Sequence, residues 1–195
     1  MKSKLIYLAL AGALFASCQK DRLSPIPQTA LSDDVAFSTE ARALQQVNGL
    51  YSRLKSADMY VGRYQVHQDI RGEEFINNTN NAVTGLTIWN FTATPTENNI
   101  NQFWAAAYAT INRCNVVIEG LAGAPISDAV RKNYIAEAKF VRAVSYYSLM
   151  QFFARPFNAS GASSLPGVPL RLTALTSSGN NDIERATIGE VYAQI

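Results

Sequence analysis

The sequence predicts a mainly α-helical protein built from long antiparallel helix pairs, with one long irregular insertion between the first two helices. Three observations carry this. Apolar residues recur at spacings of three and four from Thr39 to Lys55, from Asn98 to Leu121 and from Asp128 to Phe153, the period of a helix with one buried face. Only the turn Ala122-Gly123-Ala124-Pro125 separates the last two stretches, and a turn that short makes its helices antiparallel neighbours. Residues 56–99 break the helical period with Gly62, Gly72, Gly85, Pro95 and a cluster of Asn77, Asn78, Asn80 and Asn81.

The N-terminus reads as an export and anchoring signal. Lys2 and Lys4 precede an apolar run, Leu5 to Phe15, of signal-peptide length and too short to span a bilayer. The run Leu14-Phe15-Ala16-Ser17-Cys18 resembles a bacterial lipobox. Residues 1–17 are therefore expected to be removed, and Cys18 to become the lipidated first residue. Each acyl methylene buried in the membrane contributes about 0.8 kcal/mol, so two or three chains give a stable lipid anchor without a transmembrane helix. Residues 18–36, with Pro25 and Pro27, then form an extended tether. The helical domain is expected over 37–195. With Cys18 lipidated, Cys114 has no disulfide partner and reads as a small buried hydrophobe.

In the first helix Leu44, Val47, Leu50, Tyr51 and Leu54 share a face, Ser38 or Thr39 can cap it, and Phe37 can staple its first turn. The insertion 56–99 contains an alternating stretch around Leu86, Ile88 and Trp89 and is long for a plain loop, and connections of that length are commonly functional or disordered. The second helix carries Ile100, Trp104, Tyr108, Ile111, Asn115, Ile118 and Leu121 in one stripe, with Ala105, Ala106 and Ala107 permitting close approach. The third, capped by Ser127 or Asp128, carries Val130, Tyr134, Ala138, Val141, Ser145, Leu149 and Phe152. Residues 154–182 are irregular and proline-rich. Thr187-Ile188-Gly189-Glu190 then opens a further helix with a capping box. The chain stops at Ile195, soon after that helix begins, so a longer natural protein is expected. Paired helices with small residues at their contacts suggest a TPR-like stack.

Composition excludes several functions. Seventeen Lys+Arg against 15 Asp+Glu give a formal charge of +2, and no basic stripe is present to hold a nucleic acid. His67 is the only histidine, no metal-ligand or nucleophile motif accompanies it, and no cofactor or metal is expected. The acid pairs Asp33-Asp34 and Glu73-Glu74 are sequence neighbours, whereas glycoside hydrolysis needs carboxylates facing each other across a bond.

Several segments, in order, resemble the SusD/RagB family of outer-membrane nutrient-binding lipoproteins. They are the lipobox Cys18, Leu23 and Pro25 in the tether, and Phe37-Ser38-Thr39. Next come Ala43-Leu44-Gln45-Gln46-Val47-Asn48-Gly49-Leu50-Tyr51, then Trp104, Tyr108, Ile111 and Asn115. Glu137-Ala138-Lys139-Phe140-Val141-Arg142-Ala143, Pro166-Gly167-Val168-Pro169-Leu170 and Arg185-Ala186-Thr187 with Glu190 and Tyr192 follow. The departure from the family pattern is Phe153-Ala154-Arg155-Pro156, where a Tyr-Gly is usual, with an insert over 158–164. The resemblance implies TPR-like helix pairs and a ligand site drawn partly from the insertion. It also implies a lid-like role on a SusC-like TonB-dependent outer-membrane transporter.

On that resemblance the expected function is non-catalytic capture of an oligosaccharide at the outer membrane for the transporter. A peptide-binding RagB-like member and a structural TPR-like adaptor are the alternatives. Trp89 and Asn90 are the candidate ligand residues, because aromatic faces stack on sugar C–H faces and amides meet hydroxyls. Asp69 and Arg71 would add charged hydrogen bonds. Trp104, Tyr108, Asn115, Glu137, Arg142 and Pro169 are read as family-motif residues with structural roles. For Arg142 the expected partner is a carboxylate or a backbone carbonyl.

Overall fold

The computed structural model describes residues 33–79, 81–177, 179 and 181–195. The expected leader, Cys18 and most of the expected tether lie outside the described residues. Helices are α1 (Asp33–Ala36), α2 (Glu40–Leu54), α3 (Arg63–Arg71), α4 (Leu86–Trp89), α5 (Asn98–Gly120), α6 (Asp128–Phe153) and α7 (Ile188–Gln194). Strands β1 (Pro166–Pro169) and β2 (Arg185–Thr187) pair antiparallel, with Pro166 opposite Thr187 and Pro169 opposite Arg185. Ala36–Ile195 make up one compact unit. Among the described residues no helix is long and apolar enough to cross a membrane.

The long helices begin where their caps dictate. Thr39 accepts from Arg42 N at the start of α2, and Ser127 accepts from Val130 N at the start of α6, each satisfying an otherwise orphaned amide. The reciprocal Thr187–Glu190 box opens α7. Arg131 completes the turn between α5 and α6. Its Nε donates to Leu121 O at 3.0 Å and its Nη2 to Ala124 O at 2.9 Å, which occupies the carbonyls a helix end leaves free.

Helices α5 and α6 pack along their length as an antiparallel, TPR-like pair, and α2 lies against both. One core cluster joins Phe37, Val47 and Leu50 to Cys114, Val117, Ala138 and Val141. The other joins Met59, Tyr64, Phe103, Ile111, Tyr146 and Leu149 to Val168, Ile188 and Val191. Gly120 is where Phe37 docks: a Cβ there would lie 2.2 Å from the Phe37 ring. Cys114 is a free, fully buried thiol, and burial pushes its pKa up to about 12.

Two details differ from the periodicity reading. The most deeply buried line on α5 is Phe103, Ala107, Ile111 and Cys114, while Trp104 and Tyr108 are only partly buried against the core. The helix is covered on several sides, so its wettest apolar residues flank the seam, and small Ala107 and Cys114 sit where backbones approach. The insertion is also not irregular throughout. It contains α3, whose Tyr64 and His67 are buried, and the single turn α4. A nine-residue helix bounded by Gly62 and Gly72 is marginal by propensity alone and is held by tertiary packing.

Candidate functional site

Two features are built on this scaffold: a strap that ties the C-terminal segment to the helix pair, and a cleft beside it. The strap is residues 169–175. On α5, Tyr108, Asn112, Asn115 and Glu119 follow one another at helical spacing, so they present polar groups along one line. Tyr108 Oη donates to Pro169 O at 2.7 Å. Asn112 accepts from Leu175 N at 2.7 Å and donates to Leu175 O at 3.2 Å. Asn115, 1% exposed, donates to Arg171 O at 3.2 Å and Thr173 O at 3.0 Å. Glu119 accepts from Ala174 N at 2.8 Å. From α6, Tyr146 Oη donates to Arg171 O and accepts from Arg171 N. An extended segment has no ladder of its own, so these side chains supply what its backbone groups need.

Arg142 belongs to this network. It is 8% exposed, and its Nη1 donates to Asn115 Oδ1 at 2.8 Å and to Leu172 O at 3.5 Å. Its partners are an amide and a carbonyl. Glu137, five residues earlier, instead acts on Tyr51 of α2, whose pKa is raised by burial first and then by that carboxylate. Tyr108 is likewise pushed above its ordinary range by desolvation, so its hydroxyl stays a neutral donor.

The cleft, about 520 Å3 in volume, opens between the insertion and the ends of the long helices. Trp104 and Phe153 form one apolar wall, with ring centroids 4.9 Å apart, edge to face. Phe91 also lines the cleft and is 67% exposed. Its φ of 58° is the left-handed region, which costs a non-glycine residue about 1–2 kcal/mol. Asn90 holds it there: Asn90 Oδ1 accepts from Thr92 Oγ1 at 2.6 Å and from Thr92 N at 3.3 Å. Glu97 fixes the rim by accepting from Thr87 Oγ1 at 2.6 Å and Thr94 N at 3.0 Å. Polar lining comes from Thr94, Asn101, Arg71 and Arg185.

Of the candidate ligand residues, Arg71 lines this cleft. It also caps α6, its Nη1 donating to Gln151 O at 3.2 Å and its guanidinium lying 4.9 Å from the Phe152 ring centroid. Trp89 is 39% exposed at the end of α4, between the lining residues Ile88 and Phe91 but not itself in the lining. Asn90 acts on the cleft through the turn it makes. Asp69 is solvent-exposed on α3 and lies outside the lining. Nothing local in the sequence marks Trp104, Phe91 and Arg185 as lining a cleft, yet all three line this one. Trp104 sits in an apolar stripe, Phe91 shows itself only through its backbone, and Arg185 reaches the cleft from far along the chain.

His67 lies apart, on α3 beside a smaller hollow. It is 5% exposed, its Nδ1 has no hydrogen-bond partner, and burial and then Arg63 lower its pKa to about 4. Among the described residues no three His, Cys, Asp or Glu side chains gather as metal ligands.

Fold and cleft together define a class: a TPR-like helical scaffold whose first long connection opens an aromatic-walled cleft. Residues 24–195 match the SusD-like_3 family, described as "Starch-binding associating with outer membrane". The chain belongs to the SusD-like family. It is 24% identical over 160 residues to SusD-like protein P25 of Formosa agariphila, covering 76% of this chain and 29% of that protein. It is 25% identical over 164 residues to a SusD-like protein of Bacteroides ovatus, covering 78% of this chain and 28% of that one. Among solved structures, a SusD superfamily protein of Bacteroides fragilis superposes with a TM-score of 0.74 at 33% identity, over 80% of this chain and 37% of that one. A SusD-like carbohydrate-binding protein of Bacteroides vulgatus superposes with a TM-score of 0.65 at 21% identity, over 81% and 34%. The chain thus spans about three tenths of the length of the curated relatives it matches.

Proposed function

We propose that the cleft binds a glycan, and that the protein is a non-catalytic lipoprotein of the outer membrane, anchored through Cys18, that passes its ligand to a SusC-like TonB-dependent transporter. The observation that carries the binding part is the cleft itself. An exposed Phe91, held in a strained backbone conformation, and a half-buried Trp104 line one open space together with guanidinium, amide and hydroxyl groups. Sugars present apolar C–H faces and many hydroxyls, and such a lining answers both. Backbone strain maintained by a dedicated Asx turn is characteristic of functional loops. The family description and the carbohydrate-binding name of one structural neighbour point the same way. The lipobox supports the anchor, and the family resemblance supports the transporter partner. Trp89 and Asp69 take an outer position in this reading, bordering the segments that form the cleft.

Titration of the protein against a panel of oligosaccharides and peptides, monitored calorimetrically, tests the proposal. Trp104→Ala is expected to weaken binding of the preferred glycan at least tenfold, about 1.4 kcal/mol, with unfolding curves recorded alongside to separate lost binding from lost fold. Trp89→Ala is expected to act more weakly. Glycan affinity that is unchanged in folded Trp104→Ala removes the cleft from the site, and binding of peptides alone replaces glycan capture with peptide capture.

A further inference from the structure

The cleft's charges are one-sided. Two guanidinium groups line it, Arg71 from the end of α3 and Arg185 from β2, and no Asp or Glu is among its lining residues. Among the described residues neither guanidinium has a carboxylate within ion-pair distance. Arg71 spends one nitrogen on the carbonyls of Gln151 and Phe152, and Arg185 spends one on Gly167 O at 3.0 Å. These contacts fix each fork in place and use part of its donor set, since a guanidinium carries five N–H groups in a fixed plane. Glu97, the nearest carboxylate in sequence to the Thr94–Pro95 rim, is turned to Thr87 and Thr94. An apolar wall with two positioned, unpaired forks beside it matches a ring that carries both a C–H face and a carboxylate.

We infer that the ligand of this cleft is an acidic glycan, with uronate residues whose carboxylates meet Arg71 and Arg185 while their rings lie against Trp104 and Phe91. The inference rests on the glycan-binding reading above and specifies the charge of the sugar. It assigns Arg71 and Arg185 the role of specificity residues, one already bearing the ring of Phe152 against its face and the other brought in by the β1–β2 ladder.

The test uses the full-length protein and matched oligosaccharide pairs: oligomers of galacturonate, glucuronate and mannuronate, each beside its carboxyl-reduced neutral counterpart. The acidic member of a bound pair is expected to bind at least tenfold more tightly than its neutral twin, because a charge-assisted hydrogen bond is about twice as strong as a neutral one. Raising salt from about 0.05 M to about 0.5 M should narrow that preference. Arg185→Gln, at an exposed position outside the helical core, should cut it several-fold, and Arg71→Lys should retain more of it than Arg71→Gln. Neutral oligomers binding as tightly as acidic ones, or an acidic preference untouched by Arg71→Gln and Arg185→Gln, overturns the inference and leaves glycan binding standing. A panel in which no member binds, acidic or neutral, overturns both.

Discussion

Asn115 offers the sharpest test of how the C-terminal segment is held. Replacing it with leucine, which keeps the same side-chain skeleton branched at Cγ, removes every polar contact the amide makes. Two are neutral bonds to the carbonyls of Arg171 and Thr173, worth about 1 kcal/mol each. The third is the charge-assisted bond from Arg142 at 2.8 Å, worth about 1.5–3 kcal/mol. Because Arg142 is only 8% exposed, water does not fully replace the lost acceptor. The expected destabilisation is about 4 kcal/mol, read as a shift of the urea midpoint at constant slope. Asn115→Asp separates the charge from the geometry. A carboxylate would suit Arg142, yet it accepts only, and it would face two carbonyl oxygens that need donors. It too should destabilise. Hydrogen exchange should locate the damage: the amides of Arg171, Ala174 and Leu175, now held by Tyr146, Glu119 and Asn112, should exchange faster in both variants. A loss below about 1 kcal/mol in Asn115→Leu, or unchanged exchange at those amides, refutes the account of the strap.

His67 makes stability depend on acid. Its pKa falls from 6.5 to about 4 in the folded protein, so between those values the unfolded chain binds the proton that the folded one refuses. Stability contributed by neutral His67 is therefore intact above about pH 6.5 and drains away as pH falls toward about 4, about 3 kcal/mol in all at 1.36 kcal/mol per unit. His67→Leu should flatten this part of the stability–pH curve measured by urea unfolding, and a curve of unchanged slope would contradict it. Gly120→Ala should cost about 1–3 kcal/mol, since the new methyl would sit 2.2 Å from the Phe37 ring unless the ring moves; pairing it with Phe37→Leu should recover part of the loss, and a Gly120→Ala midpoint equal to the parent's would show that Phe37 does not need that space.

The long helices were legible in the sequence because their information is local. Thr39 and Ser127 are caps by composition, the Gly-Pro turn at 122–125 leaves α5 and α6 no geometry but antiparallel, and the apolar period over 98–121 and 128–153 marks helices whatever covers them. The motif residues Tyr108, Asn115 and Arg142 were visible as polar or amphipathic groups at helical spacing. Their partners were not, because Pro169, Arg171 and Thr173 lie 61, 56 and 58 residues away from the side chains that bind them. A backbone carbonyl carries no sequence label. The cleft shows the same division more strongly. Sequence marked the insertion as unusual and named Trp89 and Arg71. Whether an aromatic faces a cleft depends on which side of a short helix it falls, and α4 is a single turn whose orientation comes from Ile88 packing inward.

By itself, then, the sequence determined the helical class, the helix pair and the caps, all set by composition and by spacings within one helix turn, while an ordered set of motifs along the chain carried the resemblance to the family. The tertiary structure alone decided that Trp104 is a cleft wall as well as a core flank, and that Arg142 answers an amide and a carbonyl. It alone brought Arg71 and Arg185 to one rim from positions more than a hundred residues apart. The physical reason is that exposure and charge pairing are properties of a surface, and a surface is made by whichever distant segments happen to pack side by side.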